Sequence, residues 1–288
     1  MPDQQKQKAA AETFRAMHRA ERILLLPNTW DVASARIFEE AGFGAVATTS
    51  AGIAFALGYP DGQRISRDEM LQAVSRIAAA LKVPVTADVE AGYGDRPEDA
   101  AQTAMAVIES DSVGMNLEDA TGNANHPLVD LPLQLEKITA IQQAALTAGV
   151  PIVLNGRTDV YLLQVGPAEK RYDQALRRLV AFRDAGADCV FLPGLRDATT
   201  ISRLVKDLAF PLNILAGPGS PSVPELQQLG VARVSLGSSP MRATLGLLGR
   251  MAEELKTRGT YRSLENAPSH DDVNRIMQGI GRMANRSS

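Results

Sequence analysis

The stretch Val83-Pro84-Val85-Thr86-Ala87-Asp88-Val89-Glu90-Ala91-Gly92-Tyr93-Gly94 reads as a buried strand that opens on a proline and ends on carboxylates. Proline at the first strand position gives up no ladder hydrogen bond. The pattern returns in Val113-Gly114-Met115-Asn116-Leu117-Glu118-Asp119, again an apolar run that delivers acids where strand gives way to loop. Between the two lies a segment of helical composition, Pro97–Ser110. Strand, helix, strand in this order implies a parallel sheet.

Working outward in both directions, the same unit recurs for eight cycles. The strands fall at Ile23–Leu26, Ala45–Thr49, Val85–Asp88, Val113–Leu117, Ile152–Arg157, Cys189–Leu192, Leu212–Leu215 and Arg233–Leu236. Helices are expected between them, among them Arg67–Leu81, Pro97–Ser110, Leu133–Ala148 and Glu169–Ala185. Helices end in Ala41-Gly42, Ala148-Gly149, Ala185-Gly186 and Leu229-Gly230, the glycine placement of a left-handed C-cap. Eight rounds favour a closed (β/α)8 TIM barrel, an α/β fold. An open dinucleotide-binding sheet would carry glycines after its first strand, and Pro27-Asn28-Thr29-Trp30-Asp31 has none. The expected division is an N-terminal helical segment over 1–22, a barrel over 23–258, and a C-terminal helical tail over 259–288 with a polar helix at Asp271–Ala284. That tail is read as a clasp on the barrel or on a neighbouring subunit.

The chain has 288 residues, of which 45% are hydrophobic and 22% charged, the make-up of a protein with a sizeable core. A formal charge of −3 gives no electrostatic case for nucleic acid or an anionic membrane. The one cysteine, Cys189, excludes an internal disulfide and suits a reducing compartment; it lies in an apolar strand and reads as core. Residues 1–22 have no apolar signal region, and no window approaches the roughly 18 apolar residues of a membrane span. A cytoplasmic protein is expected. His18 and His270 lie in polar terminal segments and are expected at the surface.

In such a barrel the chemistry sits at the C-terminal ends of the strands. There the sequence offers Thr49, Ser50 and Gly52; Asp88 and Glu90; Glu118 and Asp119; and Asn155, Arg157 and Asp159. Several acids converging unpaired on a sheet end cost several kcal/mol, and a divalent cation is the usual remedy. Oxygen ligands without Cys or His nearby favour Mg²⁺ or Mn²⁺ held partly through water. A small anionic oxo-acid suits this layout, with Arg157 forking onto a carboxylate or phosphoryl group and the amides after the second strand holding the rest. Asp119 is expected to serve the metal with its neighbours. Gly217-Pro218-Gly219-Ser220 reads as a tight turn.

Taken together, Thr49-Ser50-Ala51-Gly52, Leu57-Gly58-Tyr59-Pro60-Asp61-Gly62, Asp88 to Gly94, Glu118-Asp119 and Gly156-Arg157-Thr158-Asp159 resemble the isocitrate lyase/phosphoenolpyruvate mutase superfamily, phosphonomutase-like branch, in order over most of the chain. The resemblance implies a Mg²⁺-dependent barrel, a homotetramer with exchanged C-terminal helices. It also implies the making or breaking of a C–C or P–C bond beside an α-oxo-carboxylate through a metal-bound enolate. It assigns Asp88 as direct metal ligand, with Glu90 and Glu118 holding the metal's waters. Asp61 matches the acid after the second-strand loop, Arg157 the substrate-carboxylate arginine, and Thr49, Ser50 and Ala51, with Gly52, the backbone oxyanion site.

The loop after Glu118 departs from the family. It reads Ala120-Thr121-Gly122-Asn123-Ala124-Asn125-His126-Pro127, with no cysteine of the lyase motif and no lysine of the mutase motif. Ungapped counting sets His126 where the lyase cysteine or mutase asparagine falls, preceded by Asn125, so these are the candidate proton donors, with a solvated bystander as the other reading of His126. The sixth strand ends in Leu192-Pro193-Gly194 and lacks the mutase histidine. The leading expectation is a lyase or decarboxylase of a small 2-oxo- or 2-hydroxy-dicarboxylate, methylisocitrate- or oxaloacetate-like. Its rivals are a phosphonate P–C enzyme of the mutase or phosphonopyruvate hydrolase type, a metal-free barrel that binds a sugar phosphate, and a non-catalytic oxo-acid binder. The segment from Ala120 to Asp130 is expected to act as a lid.

Overall fold

The computed structural model describes residues 3–279. Nine parallel strands form one sheet: β1 (Leu24–Leu26), β2 (Asn28–Thr29), β3 (Val46–Thr48), β4 (Val85–Asp88), β5 (Gly114–Glu118), β6 (Val153–Arg157), β7 (Cys189–Phe191), β8 (Leu212–Leu215) and β9 (Arg233–Ser235). Their order is β1-β9-β8-β7-β6-β5-β4-β3-β2. The count exceeds the expected eight because the first strand is in two pieces. β1 pairs with β9 and β2 with β3, so the two pieces together close a (β/α)8 barrel. Pro27 marks the break: it has no N–H to give, and only its carbonyl is used, accepting from the Ala47 amide at 3.0 Å.

The helices are α1 (Gln4–Met17), α2 (Val32–Glu40), α3 (Ser50–Ala56), α4 (Arg67–Ala80), α5 (Pro97–Glu109), α6 (Leu131–Ala148), α7 (Arg171–Asp184), α8 (Ala198–Leu208), α9 (Val223–Gln228), α10 (Ser239–Arg258) and α11 (His270–Gln278). α6 begins two residues before the expected Leu133, since Pro132 fits the first helical turn, where its missing N–H has no intrahelical partner to lose. It ends at Gly149 in the left-handed region, φ 70°, as the Ala-Gly signal implies. Most of the core lies between the barrel and its helices, from Val74 and Leu117 round to Phe182 and Leu204.

Inside the barrel a smaller apolar layer joins Leu24, Leu26, Ala45, Ala47, Val113 and Val153 to Ala11 and Phe14 of α1. The N-terminal helix is therefore a plug for the bottom of the barrel. Gly114 makes room for it, because a Cβ there would stand 3.0 Å from the Phe14 ring and 2.9 Å from Thr86 Oγ1. His18, expected at the surface, is buried under the barrel by the same helix, its ring edge-on to Phe14 at 4.8 Å. His270 is exposed.

At the other end of the chain α10 runs for 20 residues with only Met241 buried, while Leu245, Leu247, Leu248 and Leu255 are exposed. α11 returns to pack against α2 with Ile276 buried. Residues 280–284 of the expected tail helix lie outside the described residues. Among the described residues no helix is long and apolar enough to cross a membrane.

Candidate active site

Alternation along each strand sends every second side chain into the barrel, and at the C-terminal ends these inward residues surround a cavity of about 350 Å³. One wall carries Thr49, Ser50, Ala51, Asp61, Asp88 and Arg157. The opposite wall, after β7, β8 and β9, carries the guanidinium groups Arg196 and Arg242 with the turns at Gly217 and Gly237. A more open depression of about 840 Å³ lies outside the barrel between α6 and α7 and holds no strand-end residue.

Asp88 is held from three sides. The Ser50 amide and hydroxyl donate to its Oδ2 at 3.0 and 2.9 Å, and Asn116 Nδ2 donates to Oδ1 at 3.3 Å. Its own amide donates to Thr48 Oγ1 at 2.9 Å. Ser50 thus spends its donors on the acid. The Gly52 amide is taken by Thr49 Oγ1 at 3.3 Å, and Gly52 is a packing position, where a Cβ would stand 2.5 Å from Thr49 Cγ2. The Thr49 amide donates to the Thr29 carbonyl at 3.0 Å. Ala51 lines the cavity, and its amide has no acceptor among the described residues.

Glu90 and Glu118 stand behind Asp88 rather than on the wall. Glu90 sits in the left-handed region, φ 53°, a conformation costing roughly 1–3 kcal/mol in a non-glycine residue and typical of functional loops. The Gln63 amide donates to its Oε2 at 2.6 Å. Burial first, then the charges of Asp88 and Asp61, push its carboxyl up to about 7. Asp61 is also shifted upward, by burial and by Asp88, against the opposing bond from the Gly62 amide. Glu118 lies 2.6 Å from Arg157 Nη1 yet is raised, since burial and then the neighbouring acids outweigh one shared guanidinium. The other claimant on Arg157 is Asp159, which accepts from Nε at 2.6 Å and Nη2 at 2.8 Å. Its place two residues after Arg157 is the signal that identifies it.

Asp119 faces away from the cavity. It is fully buried, pairs with Arg178 of α7 at 2.6 Å, and accepts from the Asp159 amide at 2.9 Å. The same guanidinium donates to the Val129 carbonyl at 2.6 Å, so the expected metal acid instead anchors the end of the loop that follows it. That loop folds on itself through an Ala120–Leu128 bridge, and it leaves Asn125 and His126 exposed, away from the cavity lining. A residue that sequence reasoning passed over, Lys137 of α6, is buried and props the turn after Glu90 by donating to the Gly94 carbonyl at 2.7 Å.

Among the described residues no three His, Cys, Asp or Glu side chains gather as a direct chelating set. Two carboxylates on the wall, Asp61 and Asp88, with Glu90 and Glu118 behind Asp88, are instead a donor set for a hard cation held by few direct oxygens and otherwise through water. Mg²⁺ or Mn²⁺ fits those oxygens: Asp88 would touch it, and Asp61, Glu90 and Glu118 would hold its waters.

Residues 14–256 match the family described as phosphoenolpyruvate phosphomutase. The chain belongs to that family. It is thus an enzyme of the phosphoenolpyruvate mutase/isocitrate lyase superfamily. A solved Burkholderia cenocepacia protein described only as a lyase/mutase is 40% identical, with a TM-score of 0.89 over 94% of this chain and 96% of the other. The solved 2,3-dimethylmalate lyase, itself a member of the superfamily, is 28% identical with a TM-score of 0.82, covering 93% of this chain and 94% of its own. The 2-methylisocitrate lyase of Bacillus subtilis is 27% identical over 269 residues, 90% of this chain and 86% of that protein.

Proposed function

We propose that this member of the family is a divalent-metal-dependent lyase or decarboxylase that breaks a C–C bond in a small 2-oxo- or 2-hydroxy-dicarboxylate. The observation that carries this reading is the free end of Arg157. A guanidinium has five N–H groups. Two are engaged by Asp159, and Nη1 stands 2.6 Å from Glu118 in an ion pair, which leaves a fork of N–H groups on the two terminal nitrogens at the wall that Arg157 shares with Asp88. Such a fork receives a carboxylate through two parallel bonds. The Ala51 amide is then available to the oxygen next to that carboxylate, and Arg196 and Arg242 across the cavity favour a second negative group. When bound, Mg²⁺ or Mn²⁺ supplies electrostatic stabilisation of the oxygen that gains charge as the bond breaks. The protein's own part is to grip the carboxylate, orient the bond and exclude water.

The 120–130 segment is proposed as the lid that brings His126 or Asn125 to the reacting carbon, with its ends fixed by Asp119 and Arg178. The exposed leucines of α10 support a homotetramer with exchanged C-terminal helices, since so long a helix with one buried residue lacks a hydrophobic partner within its own subunit. The test is a panel of oxaloacetate, 2-methylisocitrate, 2,3-dimethylmalate, phosphonopyruvate and phosphoenolpyruvate with Mg²⁺, followed by pyruvate detection. Turnover of a dicarboxylate that stops on chelation is expected. Turnover of the phosphonates alone, or of nothing in the panel, overturns the reading.

A further inference from the structure

Arg233 of β9 points into the barrel below the cavity and is wholly buried. No carboxylate pairs with it among the described residues, and its Nε has no partner. An unpaired buried charge costs several kcal/mol, and an apolar side chain of similar volume would fill the space without that cost. Burial lowers its pKa only to about 10, so it stays charged at neutral pH.

Its neighbours explain what the charge does. A guanidinium can only donate. Arg233 Nη2 lies 3.4 Å from Asn116 Oδ1, and Asn155 Nδ2 donates to the same oxygen at 2.8 Å. With its oxygen drawn downward, the Asn116 amide must turn its nitrogen upward, where it meets Asp88 Oδ1. The lower end is fixed in the same sense. His18 Nδ1 lies 2.9 Å from the Phe14 carbonyl, which makes it the protonated nitrogen, and Nε2 then accepts from Arg233 Nη1 at 3.4 Å. Burial, and then Arg233 itself, lower the His18 pKa to about 3, so the ring stays an acceptor. Each link has one permitted direction, from α1 at the bottom of the barrel to the acid at its mouth.

We infer that Arg233 is a positioning residue for the metal site, acting through Asn116 to hold the Asp88 carboxylate toward the cavity. The inference rests on the reading of Asp88 as the metal-facing acid. It makes a prediction opposite in sign to that of plain electrostatics. Deleting a buried cation near a metal site removes repulsion and should tighten Mn²⁺ binding; deleting a positioning residue should weaken it.

The experiment is Mn²⁺ calorimetry on the full chain, with a thermal melt of each variant to show that it folds. Arg233→Met should bind Mn²⁺ about 10–100-fold more weakly, the usual range for an outer-shell partner, and Arg233→Lys should recover part of the loss. In an Asn116→Leu background the Arg233→Met change should add little, because the relay is already cut. If Arg233→Met does not fold, Arg233→Gln, neutral and too short to reach, carries the same expectation. Wild-type or tighter Mn²⁺ affinity in the folded Arg233 variant, with binding lost in Asp88→Asn, overturns this inference alone. Undiminished binding in Asp88→Asn overturns the metal reading and the inference with it.

Discussion

Glu118 and Asp119 are neighbours in the chain, both removed from solvent, each 2.6 Å from a guanidinium, yet they belong to different parts of the protein. Glu118 ends β5 facing inward, where Arg157 must divide its charge between two acids beside a cavity. Asp119 is turned outward, where Arg178 serves it alone between β5 and α7 and ties down the Val129 end of the following loop. The inward group carries surplus negative charge and spare N–H groups, which is what a cation and an anionic substrate can use. The outward group is complete in itself. The same pair of residue types is thus reactive where it is left unbalanced and structural where it is balanced.

The largest expected effect falls on the balanced pair. Asp119→Ala leaves Arg178 buried without its carboxylate and should cost about 3–5 kcal/mol in urea denaturation of the metal-free protein. Mn²⁺ affinity of the folded fraction should be unchanged; a stable variant that has lost Mn²⁺ binding would exchange the roles of the two acids. Next comes the loop that the Asp119 side anchors. His126→Ala should lower kcat on the order of 10²-fold, with metal binding intact, if the loop delivers a proton. Wild-type turnover would make His126 a solvated bystander.

Arg157→Lys probes the unbalanced pair. The charge survives but the fork does not, so kcat/KM should fall roughly 10–100-fold, the worth of one hydrogen bond to a charged group, with KM rising. Unchanged kinetics would remove Arg157 from substrate binding. The smallest effect is a pH slope. The Glu90 carboxyl stands at about 7 in the fold, above its ordinary value, so the folded state binds that proton more tightly than the unfolded chain does. Its contribution to stability is present below the ordinary carboxylate range and is lost as pH rises through about 7. Between pH 5 and pH 8 the metal-free wild type should therefore lose stability relative to Glu90→Gln, the opposing gain from His18, whose pKa is lowered to about 3, being common to both. An identical slope in the variant would place the proton elsewhere in the cluster.

Several elements were legible from local pattern. Val85–Asp88 and Leu212–Leu215 are strands as read, because a continuous apolar run between turn signals can be buried on both faces. Asp88 and Arg157 at the cavity were reached by counting to the strand ends, where barrel topology puts the chemistry. His18 was not legible: its charged neighbours in α1 describe the outer face of a helix whose inner face, through Phe14, enters the barrel. Nor was Arg233, which in sequence is an arginine opening a strand, with nothing to say that the ring of strands would close over it.

By itself the sequence determined the order of strands and helices, the ends at which acids gather and the family's motifs, because these depend on neighbours along the chain. Tertiary structure alone decided which of two adjacent acids faces the cavity, which arginine is shared and which is spent, and how the histidine that caps the first helix comes to stand beneath the aspartate at the barrel mouth. Those depend on residues 39 to 215 positions apart, whose distances are fixed only when the barrel closes.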